Sequence, residues 1–319
     1  MSDKNTHCCC SKLAEEVFTG KFRKRLEQID KYWWHTKIIG LLIVVISGAI
    51  LFIFNNDHVW FSAGAIGIVI GMIILFACGP DRRKFFRHEV VPVLVKALSP
   101  DLQYAPDRGI AKNRFMQFDF FHYFDRYYSE DHLTGILGKT KIEVAEVHIE
   151  KRHRSKNKKD SYSTIFRGVI FIADFNKHFK CRTSVLPDTA EKCFGKLLGN
   201  FLQQMNFTEP GKLVKLENQE FEKQFAVYST DPMEARYILT PLFMERLLAL
   251  YNRENSPVRI LFLNGNVIIA FERYCGWLEP PIWRKLADVA VLKNTLLEIC
   301  NMVDLVEELD LNTRIWSKQ

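Results

Sequence analysis

Two long uncharged apolar runs constrain this chain more than any other feature of its sequence. The first is IIGLLIVVISGAILFIF, residues 38–54, and the second is VWFSAGAIGIVIGMIILFAC, residues 59–78. Roughly 20 apolar residues in a helix cross the hydrocarbon core of a bilayer, which is about 30 Å thick. A soluble core hairpin and a signal peptide are the alternatives, but neither accounts for two such runs so close together. The sequence therefore predicts a transmembrane helical hairpin over residues 38–78.

The distribution of basic residues predicts how this hairpin faces the membrane. The connecting stretch NNDH, residues 55–58, contains no lysine or arginine. Basic residues precede the first run and follow the second: Lys21, Arg23, Lys24, Arg25, Lys31 and Lys37, then Arg82, Arg83, Lys84 and Arg87. Positively charged flanks stay on the cytoplasmic side, so both termini are predicted to be cytoplasmic. The chain then consists of a basic N-terminal segment (1–37), the hairpin (38–78) and a cytoplasmic domain (79–319).

The basic flank after the second run is also a candidate contact for lipid head groups. It contains Arg82, Arg83, Lys84 and Arg87, and a basic residue near an anionic surface contributes on the order of 1 kcal/mol. The run KRHRSKNKK, residues 151–159, is either a solvated hairpin tip or a contact with lipid head groups or nucleic acid. We therefore expect the lipid bilayer to be the main partner. The net charge of +7 needs no nucleic-acid partner to explain it.

Small residues recur at four-residue spacing in the second apolar run, at Ala63, Gly67 and Gly71. Such spacing lets two helix backbones approach closely in a membrane. Two interpretations stay open: the small residues seat the first span of the same chain, or they form a homo-oligomer through the second span.

The remainder of the chain mixes strand and helix signals. TIFRGVIFIADF (164–175) is typical of a central strand, and Asn264–Gly265 is typical of the tight turn of a hairpin within residues 257–273. KIEVAEVHIE (141–150) changes the phase of its alternation, which predicts a bulge near Ala145–Glu146. Helices are predicted over residues 187–206 and 291–311. Without a repeating strand–helix–strand pattern, the fold class is α+β.

The stretch TDPMEARYILTP, residues 230–241, contains two acids, an arginine and a tyrosine. Asp231 is placed to cap a helix, Pro232 suits the first helical turn, and Thr240–Pro241 repeats the arrangement. Glu234 and Arg236 are two residues apart and cannot face each other on one helix. We therefore predict a device that starts and restarts a helix, not a reactive cluster.

Reactive motifs are scarce. The sequence has no phosphate-binding loop, dinucleotide glycine pattern, nucleophile elbow or HExxH, so no cofactor is expected. Eight cysteines form no CxxC pair, and adjacent Cys8, Cys9 and Cys10 cannot close a tetrahedral shell, so no metal site is expected either. The best polar group is FFHYFDRYYSEDH, read as a loop, with candidate catalytic residues His122, Asp125, Glu130, Asp131 and His132.

Several segments together resemble a known family. FAVYSTDPMEARYILTPLFMERLL, LEPPIW and the terminal ELDLNTRIW are similar to an uncharacterised bacterial family of two-span membrane proteins, catalogued only as a domain of unknown function. The resemblance extends over about residues 87–316. It implies a hairpin that spans the bacterial inner membrane, followed by one cytoplasmic α+β domain. It implies no activity and no catalytic residues.

Three functional hypotheses follow. The first is a membrane-anchored cytoplasmic binding or scaffold module, because fold signals are present without reactive ones. The second is a membrane-associated enzyme that uses the acid and histidine cluster at 122–132. It requires Asp125, Glu130 and at least one histidine to converge in a concave site. The third is a translocated bacterial effector inserted in a host membrane, in which Cys8 to Cys10 would accept palmitate.

Overall fold

The computed structural model describes residues 20–54, 58–77, 81–121, 123–153, 160–175, 177–187, 211–254, 256–281 and 284–313. The chain divides into two compact units, Met1–Ala97 with Glu279–Leu297, and Leu98–Leu278 with Glu298–Gln319. The first unit contains the two apolar helices, and the second contains a β-sheet. The predicted α+β class is confirmed.

The first unit begins with a pair of long helices, α1 (Gly20–Ile53) and α2 (His58–Ala77). Glycines of α2 face α1. A Cβ added at Gly67 would lie 2.2 Å from Ser47 Oγ, and one at Gly71 would lie 2.7 Å from Val44 Cγ2. Ala63 is exposed, and the neighbouring Gly64 occupies the buried position. The glycines at 67 and 71 therefore pack the two helices of one chain together. Self-association through α2 stays a prediction.

The outer surface of this pair is apolar. Both helices are long and apolar enough to cross a membrane, over Phe22–Ile53 and His58–Phe76. Large hydrophobic side chains of α2 are exposed along its length, for example Ile66 at 60% and Phe76 at 79%. The hairpin thus has glycines of α2 at the contact between its helices and large apolar side chains on its outer surface.

Three short segments continue the chain: α3 (Arg82–Phe85), a π-helical segment (Phe86–Val90) and α4 (Val91–Leu98). Asp81 caps α3 by accepting a hydrogen bond from the Lys84 N–H at 2.9 Å. Pro92 is the second residue of α4, directly after the π-helical segment, so its missing N–H falls in the first turn of that helix, where it is tolerated.

The second unit is built on an antiparallel sheet with nine strands in the described residues, in the order β1-β2-β3-β4-β9-β8-β5-β7-β6. The strands are β1 (Leu102–Ala105), β2 (Arg126–Leu137), β3 (Thr140–His153), β4 (Ser161–Asp174), β5 (Thr183–Pro187), β6 (Lys212–Leu213), β7 (Phe225–Ser229), β8 (Val258–Leu263) and β9 (Asn266–Glu272). The central strand predicted at 164–175 corresponds to β4, which pairs with β3 and β9. Asn264 and Gly265 both have positive φ and form the predicted β8–β9 turn.

Helices α5 (Lys112–Phe118), α6 (Gln219–Gln224), α7 (Pro232–Ile238), α8 (Pro241–Arg253) and α9 (Val289–Glu308) complete the described elements. Asp231 caps α7, accepting hydrogen bonds from Met233 N at 2.9 Å and Glu234 N at 3.4 Å. The predicted helix start is thereby confirmed. The helix predicted at 187–206 lies almost wholly outside the described residues, as does the part of the basic run at 154–159.

Two strand predictions need correction. The stretch around the acid and histidine cluster is not a loop, because residues from Arg126 onward form β2. The bulge predicted near Ala145 lies at that level of the sheet but on the partner strand, where the register shifts between Glu130 and Leu133 of β2. The alternation of β3 changes phase because both of its faces are covered. Ala145, Val147 and Ile149 join one core cluster, while Ile142 and Val144 are buried on the opposite face.

Candidate functional site

The described residues of each unit include a group of buried charged side chains. In the first unit, Asp30 of α1 and Arg82 of α3 form an ion pair, with 3.2 Å between Asp30 Oδ1 and Arg82 Nη2. Their side chains are only 4% and 7% exposed. The second carboxylate oxygen of Asp30 accepts a hydrogen bond from the Ala287 N–H at 2.8 Å. The pair therefore joins three segments of the first unit that are far apart in sequence.

The surroundings of Arg82 hold its guanidinium in place. It donates a hydrogen bond to the Arg284 carbonyl oxygen, and its Cζ lies 4.5 Å from the centre of the Trp33 ring. Burial lowers the pKa of Arg82, and the neighbouring Asp30 charge opposes that shift. Breaking a buried pair of this kind strands a charge, which costs roughly 3–5 kcal/mol. This arrangement organises the unit close to the predicted membrane boundary.

The four predicted head-group residues lie in different environments. Arg82 forms the buried ion pair with Asp30, and Arg87 is also buried. Arg83 and Lys84 are both exposed, and Arg83 forms an ion pair with Glu279. Contact with lipid head groups stays a prediction for these residues.

In the second unit, three acids approach one another where β2 and β3 pair. Carboxylate oxygens of Glu130, Asp131 and Glu146 lie within 4.8 Å of each other. Asp131 is fully buried and occupies the irregular position of β2, with φ of 58°. Its N–H donates to the Pro106 carbonyl at 3.0 Å, and Tyr104 donates its hydroxyl hydrogen to Asp131 Oδ1.

Glu146 has protein donors on both of its carboxylate oxygens. Arg167 Nε donates to Oε1 at 3.2 Å, and the Trp277 N–H donates to Oε2 at 2.6 Å. Burial raises the pKa of Glu146, and the Trp277 and Arg167 hydrogen bonds oppose that shift. The carboxylate thus anchors the chain segment at Trp277 to β3. These two hydrogen bonds give Glu146 a structural role.

The remaining predicted catalytic residues lie away from these acids. His132 Nε2 is 3.0 Å from Glu143 Oε1, and Arg114 also pairs with Glu143. These two contacts lower the pKa of Glu143 even though burial acts to raise it. Asp125 is exposed and accepts a hydrogen bond from the Arg152 N–H at 2.6 Å. His122 lies outside the described residues.

The residues predicted as one cluster are therefore divided among three places. Asp125 and Glu130 lie five positions apart along β2 and its approach, a separation of roughly 16 Å in an extended chain. In the described part of the chain, the group of converging acids contains no histidine. The convergence that the enzyme hypothesis requires is not present in these residues.

Sequence reasoning missed two residues that organise these groups. Asp30 lies in the basic stretch before the first apolar run, but Glu27 lies there too, so the sequence did not distinguish Asp30 from an exposed acid. Glu146 is an acid within an apolar strand, and it was used only to place a bulge. Because an acid is seldom fully buried unless it is paired, an acid within an apolar strand predicts a buried partner.

In a comparison with known protein families, one family model matches part of the chain. The model of a family described as "Protein of unknown function (DUF3137)" matches residues 164–311. A comparison with curated proteins found no match. A crystal structure of the mycobacterial trehalose monomycolate transport factor A, TtfA, is similar at 9% identity and a TM-score of 0.34. The alignment covers 70% of this chain and 96% of that one. At that TM-score the likeness supports no conclusion about this chain. The resemblance to a domain of unknown function is thus confirmed for residues 164–311, which match DUF3137.

Proposed function

We propose that this chain is a membrane-anchored binding or scaffold module whose α1–α2 hairpin spans the bilayer. One observation carries the proposal: glycines of α2 lie at the contact between the two helices, and large apolar side chains are exposed on the outer surface of the hairpin. In the most apolar 18-residue window of each helix, only 11% of the residues are buried inside the protein. The core helix of a soluble protein would be mostly buried, and exposure of so much apolar surface to water would be strongly unfavourable.

The same proposal places the chain in the bacterial inner membrane with both ends in the cytoplasm. The basic residues on both sides of the hairpin and their absence from residues 55–58 support this orientation. The described acids and histidines of the second unit support a binding function over catalysis. Glu146, Glu143 and Asp125 each accept hydrogen bonds from protein donors that fix neighbouring segments. The ligand or protein partner is not specified by these contacts.

Alkaline carbonate extraction tests the anchor. Membranes from bacteria that express the full chain are washed with carbonate, which strips peripheral proteins and leaves integral ones. We expect the chain to stay in the pellet. Release of the wild-type chain into the supernatant would contradict the proposal.

A matched variant sharpens the test. Ile46 and Ile70 are 58% and 47% exposed on the hairpin. A lysine near the middle of a span costs roughly 2.5–3.5 kcal/mol on insertion scales, so Ile46→Lys with Ile70→Lys should reduce retention. If the hairpin faced water, the same substitutions would improve solubility of an otherwise unchanged protein.

A further inference from the structure

The first unit contains a cavity beside the start of the proposed span. Its volume is about 300 Å³, and its lining includes Lys31, Trp34, His35 and Ile38 of α1 together with Lys285. Binding sites for small molecules occupy roughly 300–1,000 Å³, so this cavity suits a compact group. Its lining is more apolar than polar. A partly apolar, partly charged occupant fits such a surface.

The acids of the cavity already have cationic partners. Asp30 is paired with Arg82, and Glu27 is paired with Arg23 at 2.8 Å. Within the described residues, by contrast, no ion pair involves the side chain of Lys31 or Lys285. The lining therefore includes two lysines whose side chains form no ion pair among the described residues, while its acids are paired.

Besides the two lysines, the lining of the cavity includes a third hydrogen-bond donor, the side chain of Trp34. The Trp34 indole Nε1 is buried and has no acceptor among the described residues. A buried N–H without an acceptor costs roughly 1–3 kcal/mol. An occupant with several acceptor oxygens would relieve that cost and would also engage the two lysines.

The position of the cavity along α1 narrows the class of occupant. Ile38 is the first residue of the proposed span, and Trp34 and His35 immediately precede it. Tryptophan at this level is typical of the interface between head groups and hydrocarbon. The cavity thus opens where the phosphates of the cytoplasmic leaflet lie if the hairpin is inserted as proposed.

We propose that this cavity binds the head group of an anionic phospholipid of the cytoplasmic leaflet. The lipid phosphate accepts hydrogen bonds from the ammonium groups of Lys31 and Lys285 and from the Trp34 indole. Ile38 contacts the start of the acyl region. The inference rests on the proposed insertion of the hairpin and adds to it a specific lipid site.

The test measures lipid binding to the full chain in mild non-ionic detergent by native mass spectrometry. Phosphatidylglycerol and phosphatidylcholine are titrated separately. We expect the first phosphatidylglycerol to bind at least roughly tenfold more tightly than phosphatidylcholine, because only its net charge is negative. Equal affinities would overturn the proposal.

Two double variants separate the cavity from general charge attraction. Lys31→Gln with Lys285→Gln removes the cavity lysines, and Lys24→Gln with Lys96→Gln removes two exposed lysines of the same unit outside the lining. We expect roughly a tenfold loss of phosphatidylglycerol affinity in the first and about a twofold loss in the second. Equal losses would show nonspecific attraction and overturn the site. All four lysines are exposed, and near-ultraviolet circular dichroism checks that each variant is folded.

Two further measurements complete the test. Trp34→Phe should weaken phosphatidylglycerol binding by roughly fivefold, the value of about one hydrogen bond, and an unchanged affinity would remove the indole from the site. Excess inorganic phosphate should leave lipid binding unchanged. Displacement by phosphate would identify a site for the free anion instead. Carbonate extraction of the same variants reports on insertion separately. A chain that stays in the membrane but shows no lipid preference contradicts only the lipid site.

Discussion

The hairpin exposes large apolar side chains of the same kinds that the sheet buries. Phe76 and Ile66 of the hairpin are 79% and 60% exposed, whereas Phe171 and Ile269 in the centre of the sheet are fully buried. The two helices of the hairpin contact each other at glycines of α2, which let the backbones approach. The sheet instead packs through large side chains that fill its core. One sequence thus follows two packing patterns.

The difference is the one expected if the hairpin is inserted in a bilayer, as proposed, and the sheet is surrounded by water. In water, apolar side chains are stabilised by burial inside the protein, at about 25 cal/mol for each Å² removed from solvent. In a bilayer the surroundings are already apolar, so helices associate through close packing of small residues instead. The hairpin has the second pattern, and the sheet has the first.

The largest expected effect comes from removing a phenylalanine in each region. Phe171→Ala should destabilise the sheet by roughly 3–5 kcal/mol, because it deletes a fully buried ring of β4, the strand that lies between β3 and β9. Phe76→Ala, the matched change on the outside of the hairpin, should leave the unfolding of the sheet unchanged. Denaturant titration of the full chain in detergent micelles measures both. Comparable destabilisation by the two substitutions would break the comparison.

A change in pH should act on the sheet and spare the hairpin. Burial raises the pKa of the Cys181 thiol from 9.0 to about 11. Because the folded protein favours the neutral thiol, this contribution to stability is complete below pH 9 and is lost as the pH rises towards 11. The loss is on the order of 2 kcal/mol.

The control for this pH effect is an exposed thiol. Cys181→Ala should reduce the fall in unfolding free energy over that pH interval, whereas Cys275→Ala should not, because Cys275 is exposed. The unfolding free energies of both variants are measured on both sides of the interval. Identical pH profiles for the two would refute the assignment to Cys181.

A smaller effect is expected from the contact between the hairpin helices. A Cβ added at Gly71 would lie 3.0 Å from the Gly40 carbonyl oxygen and from Val44 N, so Gly71→Val must push the helices apart. Overpacking of this kind costs roughly 1–3 kcal/mol. In a background without other cysteines, the yield of a disulfide between cysteines introduced at Gly40 and Leu75 should fall. Ile70→Val, on the adjacent exposed position, is the control, and equal yields in the two variants would contradict the packing.

Local signals in the sequence predicted much of the fold. The apolar runs predicted α1 and α2, Asn264–Gly265 predicted the turn between β8 and β9, and Asp231 predicted the start of α7. Each of these features depends on neighbouring residues or on composition within one segment. Such signals are visible without knowledge of tertiary contacts.

Features that depend on distant partners were missed or misplaced. The strand β2 was read as a loop because its polar residues obscure its alternation. The phase change of β3 reflects a second layer over one face, contributed by residues such as Ile110 and Phe115, which no pattern within β3 encodes. Likewise, Arg82 was read as a free basic residue because its partner Asp30 lies on another helix. The lipid cavity combines α1 with Lys285, a pairing that only the folded chain reveals.

The orientation of the hairpin is the central claim, and cysteine accessibility in cells tests it most directly. Two single-cysteine variants of the full chain are compared: one with His58→Cys at the exposed start of α2, and one that retains only the native, exposed Cys275. An impermeant thiol reagent that reaches the periplasm should label the cysteine at position 58 in intact cells and Cys275 only after lysis. Labelling of Cys275 in intact cells, with protection at position 58, would contradict the account.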